Sequence, residues 1–355
     1  MLALAWSFAA SLGALAQNQP EDTLLKVAVV GDTGIGERAF HPGFLAVQRA
    51  MRERHPDLLL HLGDFVYQPE KFPETCPQKY IREIRTTLVA PYPYRLFVPG
   101  DNDLPPKLKK PKASGCWEHI DSMDTPFDEV TPQGPKPGNF EGSKIIGNAF
   151  FAVLSSSPWQ DPTPWLKPRI EDAKRRGLWI VLAVHEPAIT TAWFLDKRNT
   201  ELKQINALGP DLVLSGNQHS YERFHALGIP GPDGELPTKK SSIYQRGDGT
   251  IHMISGGGGA TFKPFADMQG KKKRTAPKEV FDALKVRALM NHFVWLEITA
   301  QSLKATTYRV CAGKEAETKK NPRWKPGKLV WNKTRLECEG EPAGVEEFDR
   351  FEIQK

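Results

Sequence analysis

The chain is 355 residues long, 39% hydrophobic and 25% charged, with 48 basic against 42 acidic side chains and a formal net charge of +6. This composition excludes a disordered or collagen-like chain and fits a globular protein with a sizeable core, in one large or two small domains. The basic residues fall in short clusters at 107–112, 271–274 and 319–328, none within a recognisable nucleic-acid reading module, so they read as solvated loops and no nucleic-acid partner is expected.

Residues 1–16 are apolar and end in Ala14-Leu15-Ala16, small residues at the spacing of a signal-peptide cleavage site. The run is too short to span a bilayer. A cleaved leader, a secreted or periplasmic protein and no membrane span are therefore expected. Four cysteines suit an oxidising compartment. Of the three possible pairings, Cys76 with Cys116 and Cys311 with Cys338 each bracket an irregular segment; reduced buried thiols are the alternative. Asn332-Lys333-Thr334 is a glycosylation sequon.

A first strand is expected over 25–32, followed by a helix over 42–54 with Phe44, Val47 and Met51 at helical spacing. The apolar run 57–62 is a second strand, and a helix near 79–88 leads to a third strand ending at Gly100. The stretch 104–138, rich in Pro, Lys and Gly, reads as a long surface loop that Cys116 could pin as a lid. A strand pair over 145–155, a helix over 164–176 and a strand over 178–185 come next. A short helix over 201–208 and a strand over 211–215 follow. Residues 251–255, 292–299 and 302–310 read as antiparallel strands, and the polar remainder from Ala312 as an appended hairpin or tail.

The chain is organised around Gly63-Asp64-Phe65-Val66-Tyr67, where a short apolar strand delivers a carboxylate and then a phenol. Gly31-Asp32 and Gly100-Asp101-Asn102-Asp103 end similar strands, while Val184-His185 and Gly216-Asn217-Gln218-His219 end two more. Asp32, Asp64 and Asp101 lie 32 and 37 residues apart, about one strand–crossover–strand unit of roughly 30 residues. Right-handed crossovers return each strand in the same direction, which lines the carboxyl ends along one edge. Carboxylate and imidazole suit iron, manganese or zinc, and one carboxylate can bridge two cations about 3.5–4 Å apart. A single strand-end Asp often only caps the next helix; the ordered set is what implies a metal site.

In the order Gly31-Asp32-Thr33-Gly34, Gly63-Asp64-Phe65-Val66-Tyr67, Gly100-Asp101-Asn102-Asp103, Val184-His185-Glu186-Pro187 and Gly216-Asn217-Gln218-His219-Ser220-Tyr221-Glu222-Arg223, the sequence resembles the calcineurin-like metallophosphoesterases, and most of all the purple acid phosphatases. The resemblance implies an α/β fold: a two-sheet mixed β-sandwich flanked by helices, with the metal site at the carboxyl ends of the strands. The implied catalytic domain spans 24–310, with 311–355 as a C-terminal extension. It implies two metal ions. Ferric iron would take Asp32, Asp64, Tyr67 and His219, and a divalent ion (Fe, Mn, Zn or Mg) would take the bridging Asp64, His185, Asp101 and Asn217.

Two departures from the family pattern bear on chemistry. Asp101-Asn102 stands where the family has Asn-His; read without a gap, Asp101 is the ligand and Asn102 replaces a phosphate-contacting His, whereas a one-residue slip makes Asn102 the ligand. Asn217 replaces a histidine ligand of the second metal. The oxygen-rich second site this leaves suits manganese, magnesium or calcium better than zinc. A lost imidazole removes a candidate general acid, typically about 10²–10⁴-fold in rate, with Arg223, His292 and His41 as candidate substitutes. Gly256–Gly259 could approach a phosphate or could simply pack as a tight turn.

The implied activity is hydrolysis of phosphate monoesters by a hydroxide held at the metals, acting on a small phosphorylated substrate. Two other readings stay open: a catalytically silent relative acting as a binding protein, and a phosphodiesterase. Oligomeric state is not legible in the sequence.

Overall fold

The structure, a computed structural model, describes residues 23–34, 42–67, 76, 78–104, 115–131, 141–260, 262–313 and 342–355. The expected leader, His41, Cys338 and the sequon at Asn332 lie outside the described residues. In chain order the described strands are β1 (Leu25–Val30), β2 (Leu58–His61), β3 (Tyr94–Phe97), β4 (Glu129–Val130), β5 (Gly142–Ile146), β6 (Ala149–Leu154), β7 (Trp179–Val184) and β8 (Leu212–Ser215). They continue with β9 (Tyr221–Phe224), β10 (Ala226–Leu227), β11 (Thr238–Lys239), β12 (Ile243–Gln245), β13 (Ile251–Ser255), β14 (Leu284–Ala288), β15 (His292–Ile298), β16 (Ser302–Cys311) and β17 (Gly344–Gln354). The main helices are α1 (Pro42–Arg52), α2 (Gln78–Glu83, continuing as a π turn to Val89), α3 (Trp117–Asp121), α4 (Thr163–Arg175), α5 (Arg198–Leu208) and α6 (Lys278–Ala283).

Among the described residues two large mixed sheets form, in the orders β12-β17-β16-β15-β1-β2-β3 and β14-β9-β13-β8-β7-β6-β5-β4. The β1, β2 and β3 strands are parallel to one another, as are β6, β7, β8 and β13. This is the sandwich expected from the resemblance.

Side-chain alternation, with its period of two, decides which layer each residue joins. On β1, Val27 and Val29 enter the core between the sheets, where they meet Leu60, Val181, Leu214 and Leu296. Ala28 and Val30 face the other way and pack with Phe44, Val47 and Met51 of α1. On β7, Ile180 and Leu182 pack outward onto Leu166 and Ile170 of α4 and Leu202 and Ile205 of α5. Strands buried on both faces read in sequence as continuous apolar runs, which is why β1, β2 and β7 were recognisable.

Two expectations are corrected. The polar tail from Ala312 ends in β17, which lies inside the first sheet between β12 and β16 and pairs with β16 from Ser302↔Gln354 to Cys311↔Gly344. Its sequence carries only Phe351 and Ile353 as fully buried apolar residues among many charges, which hides its strand character. Within the expected loop 104–138, the described part folds as α3 and β4. Trp117 and Ile120 are buried against the outer face of the first sheet, beneath the Cys76–Cys116 disulfide with its Cα atoms 4.8 Å apart. That pairing agrees with the sequence expectation; Cys311 with Cys338 reaches outside the described residues. Among the described residues no helix is long and apolar enough to cross a membrane.

Glu222 on β9 is fully buried and accepts hydrogen bonds from the Thr191 amide and hydroxyl, both at 2.9 Å, tying the chain beyond β7 to the second sheet. Burial pushes its carboxyl from 4.5 up to about 7, with the Thr191 hydrogen bonds pulling the other way. The folded chain therefore holds this proton more tightly than the unfolded chain. The stabilisation is full below pH 4.5 and is lost as pH rises through about 7. Glu222→Gln should flatten that segment of the stability–pH curve and be more stable at pH 8 by up to about 3 kcal/mol, read by urea unfolding from pH 4 to 8.

Candidate metal centre

The five expected segments meet at the carboxyl ends of β1, β2, β3, β7 and β8, so each sheet contributes. Asp32, Asp64 and His219 offer ligand atoms within 4.8 Å of one another, and so do Asp64, Asp101 and His185; Asp64 belongs to both groups. The side chains of Asp32, Asp64 and His185 are fully buried, and Asp101 is 20% exposed.

The first group is bound together through Tyr67. Its hydroxyl lies 2.9 Å from Asp32 Oδ1, to which it donates, and 2.9 Å from His219 Nε2. His219 Nε2 is itself 3.4 Å from Asp32 Oδ1. In the second group His185 Nε2 is 3.4 Å from Asp64 Oδ1 and 3.5 Å from Asp101 Oδ1. His185 Nδ1 lies 2.6 Å from the Leu62 carbonyl, which only accepts. Nδ1 therefore carries a proton, and the buried Nε2 is the nitrogen turned toward the Asp64 and Asp101 carboxylates.

The backbone is bent to make this convergence. Asp32, Asp64 and Asn217 have φ of 57°, 58° and 62° and account for three of the four non-glycine residues with positive φ among the described residues. Left-handed backbone costs a side chain about 1–2 kcal/mol and gathers at functional sites. Gly63, at φ +91°, admits the close approach: a Cβ there would lie 2.6 Å from His185 Nδ1 and 2.7 Å from the Gly100 amide. Asp103 is buried and accepts from the amides of Asp64 (2.8 Å), Val66 (3.1 Å) and Gly100 (3.1 Å), fixing the Asp64 loop against the end of β3. His61, also buried, lies 3.0 Å from Thr33 Oγ1 and accepts from the Gly63 amide at 3.1 Å, linking the Asp32 and Asp64 loops.

The electrostatics call for cations. Burial pushes Asp32 up to about 7; His185 opposes the rise and Asp64 adds to it. Burial disfavours the charged form of His185, but the charges of Asp64 and Asp32 and the hydrogen bonds to Asp64 and Leu62 outweigh it and raise the imidazole to about 9. Proton retention by crowded groups of this kind is what a bound cation displaces, and loading releases protons. Three carboxylates with Asp64 common to both groups, an imidazole in each group and no thiolate fit a pair of hard or borderline cations.

The remaining candidates separate clearly. Asn102 donates its amide to Asp64 Oδ1 (3.0 Å) and its side-chain Nδ2 to Asp64 Oδ2 (2.6 Å) and Asp101 Oδ1 (3.2 Å), beside the bridging carboxylate. Asn217 contacts the site through its main chain: its amide donates to Asp32 Oδ2 at 2.8 Å. Arg223 is turned away. Its guanidinium is fully buried and paired at two points with Asp349 of β17, at 2.6 and 2.8 Å, where it clasps one sheet to the other. His292 is buried behind the Gly-rich turn, 5.2 Å edge-on to Tyr221, with Nδ1 3.0 Å from the Met290 carbonyl. The Arg223 side chain is thus spent on Asp349, correcting it as a catalytic candidate, and His292 lies outside both ligand groups. In the Gly-rich turn the Gly258 amide donates to the Gly31 carbonyl and the Gly256 amide to the Ser220 carbonyl, which favours tight packing as its role.

Sequence reading missed His61, hidden in an apolar run, and Lys263, which donates to the Asn217 carbonyl at 3.3 Å from a loop with no motif.

The family model for calcineurin-like phosphoesterases matches residues 25–221, more than half of the chain. An uncharacterized protein of Mycobacterium tuberculosis, found in strains CDC 1551 and H37Rv, is 35% identical over 129 residues; the match spans 33% of this chain and 24% of that protein. Among solved structures, a purple acid phosphatase from yellow lupin (Lupinus luteus) seeds superposes with a TM-score of 0.62 at 15% identity, over 94% of this chain and 54% of that one. PhoD superposes with a TM-score of 0.53 at 13% identity, over 94% and 70%. The chain thus spans about a quarter of the curated relatives it matches and about half of the lupin enzyme, and the likeness to the two solved structures is one of fold. By its family model, the chain belongs to the calcineurin-like phosphoesterases.

Proposed function

We propose that the protein is a dinuclear-metal phosphomonoesterase of the purple acid phosphatase kind, acting after export on a small phosphorylated substrate. The observation that carries this reading is that Asp64 belongs to both ligand groups. Tyr67 and His219 with Asp32 and Asp64 would hold ferric iron; the phenol's place against Asp32 and His219 supports that assignment. His185, Asp101 and Asp64 would hold a divalent ion, with Asp101 preferred over Asn102 because Asn102 turns a donor toward both carboxylates. Asn217 would lie beside the second ion. Export is supported by the Cys76–Cys116 disulfide.

A cation pair bound there supplies an activated water and neutralises charge on the phosphoryl oxygens. The chain's own contribution is positional. The Leu62 carbonyl holds the His185 tautomer, and the Asp103 and His61 hydrogen bonds fix the Asp64 loop. Asn102 spends its Nδ2 hydrogens on Asp64 and Asp101 and so holds those two carboxylates side by side.

Protein loaded with iron and manganese should hydrolyse p-nitrophenyl phosphate faster than bis(p-nitrophenyl) phosphate between pH 4 and 8 and should absorb in the visible through the Tyr67 phenolate. A diester-only profile would overturn the substrate assignment. A second reading, a silent binding protein, draws on Arg223 being spent on Asp349 and on Asn102 and Asn217 standing where the family has histidines; one tightly held ion without turnover would favour it.

A further inference from the structure

Resting on the phosphoesterase reading, we infer that Lys263 anchors the substrate phosphoryl group at the Asp32–His219 side of the centre. The residue is exposed, yet the chain on either side of it is tied down. Before it, the Ala260 amide donates to the Asp32 carbonyl at 2.9 Å; after it, the Ala266 amide donates to the Ala192 carbonyl at 2.9 Å. Phe262 and Phe265 on either side are buried and pack together with Ala192 and Leu289. This arrangement, an exposed lysine between two buried aromatic anchors, directs the ammonium to one place. Its Nζ lies 3.3 Å from the carbonyl oxygen of Asn217, the residue whose amide holds Asp32 Oδ2.

The chemistry gives this lysine a task. An ammonium is a compact point charge with three donors, and one hydrogen bond to a main-chain carbonyl leaves two for an anion. The other cationic candidates do not reach the centre: Arg223 is consumed by Asp349 and His292 is buried behind the turn. Lys263, whose charge is felt at Asp32, stands beside the Asp32–His219 half of the centre, across from the Asp64–Asp101 half that Asn102 contacts.

The test is calorimetric binding of inorganic phosphate to the full chain loaded with manganese, comparing wild type, K263M and K263R, with metal content measured on each. The side chain is exposed, so the fold and both ions should survive in K263M. Its phosphate dissociation constant should rise about tenfold to a hundredfold, the loss of one charge-assisted hydrogen bond, and K263R should recover most of this. With p-nitrophenyl phosphate, KM should rise by a similar factor with kcat little changed, as for binding made equally in ground and transition states. Unchanged phosphate affinity in K263M with both ions retained overturns the inference while leaving the cation centre standing. Loss of ions from K263M overturns it in favour of a loop-holding role. A metal-loaded wild type that binds no phosphate overturns both this inference and the phosphoesterase reading.

Discussion

Asp64→Asn should lose both cations, with affinity for each falling more than about a hundredfold, beyond the range seen when only a ligand's supporting partner is removed, and turnover should disappear with them. The reason is the double membership of Asp64: Asp32 and His219 lie on one side of it, Asp101 and His185 on the other. Asparagine offers one oxygen in place of two and carries no charge. It also tolerates the left-handed backbone this position requires, φ 58° here, so the loss is one of coordination and not of folding. The metal-free variant should show an effect of opposite sign. Asp64 raises the proton affinity of Asp32, Asp103 and His185; with its charge removed, crowding between the carboxylates falls. Thermal unfolding in chelator should find Asp64→Asn at least as stable as wild type, while added manganese should raise the melting temperature of wild type alone. A variant that keeps one ion at full affinity would mean that Asp64 is not shared.

Gly100→Ala carries the second large expected effect. A Cβ on Gly100 would fall under 3.0 Å from the Asp64 backbone nitrogen, Cα and carboxylate, atoms with no freedom to move aside. Overpacking in a well-fitted interior costs about 1–3 kcal/mol where side chains can yield. Here the obstacle is backbone already held by Asp103, which accepts from both the Gly100 and Asp64 amides. The expected result is a loss of several kcal/mol and failure of the Asp64–Asp101–His185 group to take up its ion. Gly344→Ala is the control: among the described residues no atom lies within 4 Å of a Cβ there, and its effect should stay within about 0.5 kcal/mol. Urea unfolding with parallel metal analysis distinguishes the two.

The parts of the molecule legible in its sequence share a physical cause. β1, β2, β3, β7 and β8 are mostly buried, so they appear as short, largely apolar runs interrupted at most by Lys26, His61, Arg95 and Ser215, and each delivers a chemical group just past its end. Spacing and crossover handedness aligned the ends of β1, β2 and β3, while the ordered motif set brought in those of β7 and β8. β9 and β17 stayed hidden because their stability is long-range. Arg223 is tolerable in the core only because Asp349, 126 residues away, meets it there, and nothing local in Tyr221-Glu222-Arg223-Phe224 announces that partner. The same cause misassigned Arg223 as a catalytic candidate, since a charged residue beside a ligand motif looks functional until its counter-ion is seen. His292 fails similarly: its place behind the Gly-rich turn depends on Tyr221 and on the fold of the turn. Lys263 was missed for the converse reason, because its loop carries no motif and its position is set by Phe262 and Phe265.

The role of Asp64 as the shared ligand is tested most directly by the number of ions bound per chain, measured by elemental analysis of wild type and Asp64→Asn after loading and desalting. Two ions are expected in wild type and none retained by the variant. One ion in wild type, or two in the variant, would mean that Asp64 is not the shared ligand.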